Sequence, residues 1–243
     1  MCRLVYCPPV CKYFGSPFRS HPDSERGADV TGRSAPPAPR RPAERSSRTR
    51  ILEAALQELA RNPDSTLADM AEAAGVARRT VYVHFAGRSA LVEGIAADAA
   101  EAIRRAVATT GAPGADPATA LARFVLTLWP VGDRYRVLIG LARQDLGPGQ
   151  VDEVLSPARA TVTAILALGQ QQGVFHTRVP PAPLGRTLEA LLLALLDRVN
   201  AGTWTDDGAR AATAALIAAG VGSDAAATTV HRLHNTGQAH QPH

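Results

Sequence analysis

Residues 67–85, LADMAEAAGVARRTVYVHF, read as two short helices joined by a glycine turn. Leu67, Met70, Ala71 and Ala74 recur at i, i+3, i+4 and i+7, which lays them on one apolar helical face. Gly75 supplies the positive φ that ends a helix and turns the chain sharply. Val81 and Phe85, four residues apart, start a second apolar stripe. Two helices that cross closely need a small residue at the contact, and Ala71 is that residue. Ala71, Gly75 and Val81, at spacings of four and six, make the small–turn–apolar framework of a helix-turn-helix. Arg78, Arg79 and Thr80 then open the second helix, where a recognition helix meets base edges and phosphates. The spacing predicts a DNA-reading element.

Working outward, the texture is helical from Ser46 onward. Ser46 or Ser47 is expected to cap a helix that buries Ile51, Leu52, Ala55, Leu56 and Leu59. Asn62-Pro63-Asp64 breaks it, and Ser65 or Thr66 caps the next. After the helix-turn-helix, Gly87 precedes a long helix from about Arg88 to Thr109. Asp116-Pro117 opens another by the cap-then-proline rule, carrying Leu121, Phe124, Val125 and Leu128 and stopping at Pro130. Residues 133–145 place Tyr135, Leu138, Ile139 and Leu141 on one side. Ser156-Pro157 is expected to begin the next helix. Pro183 leads into TLEALLLALLDRVNAGTW, and Asp206 or Asp207 caps a last helix ending near Gly220. Strand alternation appears nowhere at useful length, so the expected class is all-α.

Composition sets the outer bounds. At 243 residues with 46% hydrophobic content the chain can bury a sizeable core, and no apolar run reaches membrane length. The net charge of +4 says little about nucleic acid, because its cationic surplus sits in the leading 50 residues. Lys12 is the only lysine, a bias that Ala, Gly and Pro richness makes a matter of coding composition. Residues 1–45 mix Pro, Arg, Ser and Gly and read as a disordered tail. MCRLVYCPPVCKYF lacks the uninterrupted apolar core of a secretory signal, and Cys2, Cys7 and Cys11 show no ligand spacing. The expectation is reduced thiols in a cytoplasmic protein. Residues 223–243, with His231 and His234 at i, i+3, read as a frayed polar tail. No metal and no cofactor is called for.

Three helices, a long connecting helix and several more resemble a known family. Segment 48–95 resembles the DNA-binding domain of tetracycline-repressor-type (TetR-family) regulators. The resemblance is carried by Thr80-Val81-Tyr82-Val83-His84-Phe85, followed by Gly87-Arg88-Ser89-Ala90-Leu91. Two positions depart from the commonest pattern. Ala77 stands where a Ser often caps the recognition helix, and Arg88 replaces the usual Lys. The resemblance implies a helix-turn-helix domain over 46–92 and a helical ligand-binding and dimerisation domain over 93–222.

It also implies site residues. Thr66, Thr80, Tyr82, His84 and Arg88 fall on positions that hold phosphates; Arg78, Arg79 and Val83 fall on positions that face bases. Chemistry agrees, since Arg offers a fork for guanine O6 and N7 while Val can touch a thymine methyl. Tyr82 and His84 have packing of the domain edge as their alternative, and the two arginines ordinary solvation. Val81 and Phe85 are core.

The resemblance places an inducer pocket on the middle helices, where Phe124, Leu128, Trp129, Tyr135 and Leu138 gather; core packing is the alternative. Arg134, Arg143, Gln144 and His176 are candidates for polarity there. LEALLLALL leaves Glu189 as its plainly exposed position, and a helix apolar all round is buried. A second copy would bury the outer face, and the resemblance implies a four-helix interface between two copies, with Leu188, Leu191, Leu192, Leu195 and Leu216 as its expected residues; a place in the monomer core is the alternative. The expected partners are double-stranded DNA carrying a near-palindromic operator, a small-molecule inducer and a second copy of the chain, without a membrane. The expected function is a ligand-responsive regulator acting as a repressor. Its rivals are an enzyme or a sensor that carries the same domain without reading an operator.

Overall fold

The computed structural model describes residues 42–110, 116–141, 146 and 148–238. These residues form ten helices: α1 (Pro42–Arg61), α2 (Leu67–Ala73), α3 (Arg78–His84), α4 (Arg88–Thr109), α5 (Pro117–Arg134), α6 (Val137–Leu141), α7 (Pro148–Gln171), α8 (Pro181–Asn200), α9 (Ala209–Ala218) and α10 (Ser223–Gln238). No strand occurs among the described residues. The fold is all-α, with an N-terminal helix-turn-helix domain and a C-terminal helical domain. No helix among the described residues is long and apolar enough to cross a membrane.

The first three helices pack around Ile51, Leu52, Ala55, Leu56, Leu59, Met70, Ala71, Val81 and Phe85, all buried. Helix α4 seals this core with Leu91, Val92 and Ile95. Gly94 permits the approach, since a Cβ there would sit 2.7 Å from the Phe85 ring. The core does not stop at this domain. Tyr135, Val137, Leu138, Leu141 and Leu146 belong to the same apolar cluster. A second cluster joins α5, α7, α8, α9 and α10 around Leu121, Phe124, Trp129, Leu166, Phe175, Leu188 and Leu216.

Several expected boundaries move. The division at 92/93 falls inside α4, an unbroken 22-residue helix whose apolar positions serve both regions. Helix α1 starts at Pro42, so Ser46 and Ser47 lie within it rather than capping it, and residues 42–45 are helical. Residues 1–41 of the expected tail, with Cys2, Cys7 and Cys11, lie outside the described residues.

Pro130 does not stop α5, and Pro157 lies inside α7, which begins at Pro148 rather than Ser156. An internal proline costs about 3 kcal/mol through a lost bond and ring clash. Burial of Phe124, Val125 and Trp129 before Pro130 and of Tyr135 after it, at roughly 1.5–3 kcal/mol per large side chain, offsets that cost. Around Pro157, buried Val162, Ile165 and Leu166 have the same effect.

The tail expected over 223–243 is also corrected. Residues 223–238 are α10, a helix packed on α5 and α9 through buried Ala226 and Val230. Two apolar residues one helical turn apart are a weak signal in a polar stretch. They suffice here because α5 and α9 present an apolar surface to receive them. Residues 239–243 lie outside the described residues.

Candidate functional site

The reading head is built from local rules. Thr66 caps α2 in a reciprocal box: its backbone N–H donates to Asp69 Oδ2 at 2.7 Å, and its hydroxyl oxygen accepts from Asp69 N–H at 3.3 Å. The Thr66 backbone N–H, and then the Thr66 hydroxyl donating to the same Oδ2 at 2.8 Å, hold the Asp69 carboxyl below its ordinary range. Gly75 takes φ +61, and the Val76 N–H returns to the Ala71 carbonyl at 3.0 Å. Arg50 of α1 donates to the Ala74 carbonyl at 2.9 Å, fixing the turn against the first helix. The sequence reading missed Arg50, because nothing near it in the chain marks a partner 24 residues away.

Helix α3 has two unlike faces. Val81 and the following Phe85 are buried, whereas Tyr82 is 58% and Val83 80% exposed. Arg78 and Arg79 are exposed and Thr80 and His84 half-buried. The N-cap Ala77 makes no side-chain bond, and the first turn carries two arginines and no acid. Cations at the positive end of a helix cost about 0.3–1 kcal/mol each. The arrangement favours an anionic partner outside the chain over the stability of α3 alone. Exposed aromatic and branched apolar side chains beside arginines on one short helix suit a groove of duplex DNA.

Arg88 stands apart from the other expected phosphate residues. Its guanidinium donates to the Pro63 carbonyl at 2.6 Å and the Ser65 carbonyl at 3.0 Å. It ties the start of α4 to the α1–α2 loop and thereby steadies Thr66, which is exposed beside it.

Residues 51–95 match the model for bacterial regulatory proteins of the tetR family. This segment is a tetR-family DNA-binding domain. Solved structures resemble the chain over most of its length. A gamma-butyrolactone receptor described as ArpA-like superposes with TM-score 0.63 at 19% identity, covering 80% of this chain and 99% of that one. A tetR-family regulatory protein from Rhodococcus RHA1 gives 0.62 at 18%, covering 72% and 98%. LfrR from Mycobacterium smegmatis, solved with proflavine, gives 0.54 at 24%, covering 72% and 94%. At such identities the likeness concerns the fold. No curated protein matches the chain.

Behind the tetR-type domain the helices line two apolar cavities that open partly to the surface. One, of about 120 Å³, is lined by Phe124, Leu128 and Trp129 with Leu188, Leu192 and the Arg159–Glu189 pair. The other, of about 280 Å³, is lined by Tyr135 and Leu138 with Ala99, Val151 and Val154. The five expected pocket residues thus divide between neighbouring cavities that share Ile103, Gly132, Leu155, Leu193 and Leu196. The expected polar residues fall elsewhere. Arg134 reaches Glu53 of α1 at 3.5 Å and lies over the Tyr135 ring, and His176 faces the Ala218 carbonyl at 3.1 Å. Arg143 and Gln144 lie outside the described residues.

The expected interface is partly corrected. Leu188 and Leu216 are buried within the single chain, and Leu192 lines a cavity. Glu189 is half-buried against Arg159 rather than plainly exposed. The helical period turns Leu188, Leu192 and Leu196 inward, leaving Ala190 and Ala194 exposed and Leu191 half-buried on the opposite stripe. On α9, Ile217 is 45% exposed and Ala218 exposed. Leu195 is half-buried at the edge of the inner cluster.

Proposed function

We propose that the protein is a homodimeric, ligand-responsive, sequence-specific DNA-binding regulator of transcription, acting as a repressor that a small molecule releases. The observation that carries this reading is the exposed face of α3, where Arg78, Arg79, Tyr82 and Val83 stand outward while Val81 and Phe85 anchor the helix. In this reading Arg78, Arg79 and Val83 face bases, and Thr66, Thr80, Tyr82 and His84 meet phosphates. Arg88 holds the loop that presents Thr66.

A second copy would cover the outer stripe of α8 and α9 formed by Ala190, Leu191, Ala194, Ile217 and Ala218. Small residues let two such helix pairs approach closely. A two-fold dimer presents two reading helices about one duplex turn apart, which suits a near-palindromic operator in cytoplasmic DNA.

The ligand acts through shared packing. Tyr135 and Leu138 line a cavity and belong to the apolar cluster of the reading domain. A molecule that fits the cavity in only one arrangement of α4 and α6 shifts the balance between arrangements, and with it the separation of the reading heads. Function is therefore binding rather than catalysis.

The test is fluorescence anisotropy of the full chain on the intergenic duplex beside its own gene and on scrambled duplex of equal length. The expected result is at least about 1,000-fold preference for the first. Equal affinity for both would overturn operator reading and leave the sensor alternative.

A further inference from the structure

The chemistry of the cavity lining narrows the ligand class; the argument rests on the cavities being the effector site. Among the described lining residues, polar side-chain atoms come from Trp129, Tyr135, Arg159 and Glu189. Each is already committed inside the protein. Trp129 Nε1 donates to the Asp206 carbonyl at 3.1 Å, and the Tyr135 hydroxyl to Asp98 Oδ2 at 2.6 Å. Arg159 grips Glu189 with two parallel bonds, Nε to Oε2 at 2.5 Å and Nη2 to Oε1 at 2.9 Å. Its Nη1 donates to the Asp152 main-chain oxygen at 3.2 Å and lies 2.9 Å from Asp152 Oδ1. Arg186 completes the cluster at 3.5 Å from both Glu189 Oε1 and Asp152 Oδ1.

Arg159 and Glu189 thus neutralise each other at the cavity wall, with exposed Asp152 and Arg186 completing the charge balance outside it. An anionic ligand could reach Arg159 only by displacing Glu189, and a cationic one could reach Glu189 only by displacing Arg159. Either exchange gives up the two parallel bonds of a half-buried pair, leaving the displaced group only its exposed partner, Arg186 or Asp152, and a polar ligand group left without a partner is costly to bury. The rest of the lining, among the described residues, is Leu, Val, Ile, Phe and Ala with two glycines.

We propose that the effector is an uncharged lipophile, a mainly hydrocarbon molecule with no group that must be hydrogen-bonded inside the protein. The two cavities share Ile103, Gly132, Leu155, Leu193 and Leu196, so an elongated or fused-ring molecule suits the pair.

The test titrates the full chain with naphthalene, 2-naphthoate and 2-naphthylmethylammonium, following tryptophan fluorescence, to which Trp129 in the wall contributes. Naphthalene is expected to bind at least about tenfold more tightly than either ion. Glu189→Gln releases Arg159 from its carboxylate, so 2-naphthoate should gain about tenfold while naphthalene changes little. Tighter binding of either ion to the wild type, or a 2-naphthoate affinity unmoved by Glu189→Gln, would overturn the proposal.

Leu155→Phe narrows the shared wall and should abolish naphthalene binding while circular dichroism stays helical; Leu193→Phe, in the same shared wall, serves if that variant misfolds. Naphthalene binding that survives in the folded variant would remove the cavities as the effector site. Silence of all three probes with the wild type would remove both readings. An ion that binds best and is lost in the filled variant would remove the ligand class alone.

Discussion

The Tyr135 hydroxyl donates to Asp98 Oδ2 at 2.6 Å, joining the C-terminal end of α5 to the middle of α4. Beside it, Arg134 reaches back to Glu53 of α1 at 3.5 Å. Two consecutive residues, of which Tyr135 lines a cavity, therefore touch the connecting helix and the first helix of the reading domain. The Arg134–Glu53 pair is exposed on both sides and adds little stability. The Tyr135 bond is part-buried, and its ring is 7% exposed in the N-terminal apolar cluster.

Tyr135→Phe keeps the ring and removes this bond. We expect a loss of about 1 kcal/mol of stability, because half-exposed Asp98 regains water. Burial first, then Asp98, pushes the Tyr135 phenol above its ordinary value, with Arg134 opposing. A raised folded value favours the protonated form. The contribution should be whole below the unfolded value of about pH 10 and fade as pH rises through the folded one. Thermal melts of both proteins between pH 7 and 11 check the sign. If Tyr135 also transmits ligand occupancy, the ratio of operator affinities without and with a cavity ligand should move toward one in the variant. An unchanged ratio would leave the bond a purely structural one.

Arg79→Ala should weaken operator binding by about 1–3 kcal/mol and relax preference at one position in each half-site. The motive is its exposed place at the start of α3. Equal operator affinity of mutant and wild type at one salt concentration would take Arg79 out of the interface.

Arg88→Ala should act through the loop. Losing its bonds to the Pro63 and Ser65 carbonyls should cost about 1 kcal/mol or more, read as a lower melting temperature. The slope of log K against log salt should stay at the wild-type value. A fall of about 0.9 per subunit would instead assign Arg88 a phosphate.

Ile217→Arg and Leu216→Arg form a matched pair on α9. Ile217 is 45% exposed on the proposed dimer stripe, while Leu216 is fully buried in the single chain. Ile217→Arg should give a helical monomer with weakened operator binding, since a lone reading head loses its partner's contribution to avidity. Leu216→Arg should lose its helical signal, because an unpaired cation would lie inside the core. Sedimentation and circular dichroism separate these results. A wild-type chain that is monomeric at micromolar concentration would dispose of the dimer.

What could be read from order along the chain was local. The cap at Ser65 or Thr66, the turn at Gly75, the two faces of α3 and the Asp116-Pro117 start each depend on residues within a few positions of one another. Backbone geometry and side-chain reach settle such features without distant partners. The buried stripe of α1 was legible for the same reason, since helical periodicity repeats along the segment itself.

Distant partners decided the rest. Helix α5 runs through Pro130, and α10 forms where a frayed tail was expected, because surfaces far along the chain repay the local cost. Arg88 turned toward Pro63 and Ser65, and Glu189 toward Arg159, since a charge takes whichever partner the fold brings within hydrogen-bond reach. Which leucines of α8 face inward depends on where α5, α7 and α9 lie around it. Apolar residues alone show that a helix is buried, and only its neighbours in space determine which side is covered from within and which is left for another chain.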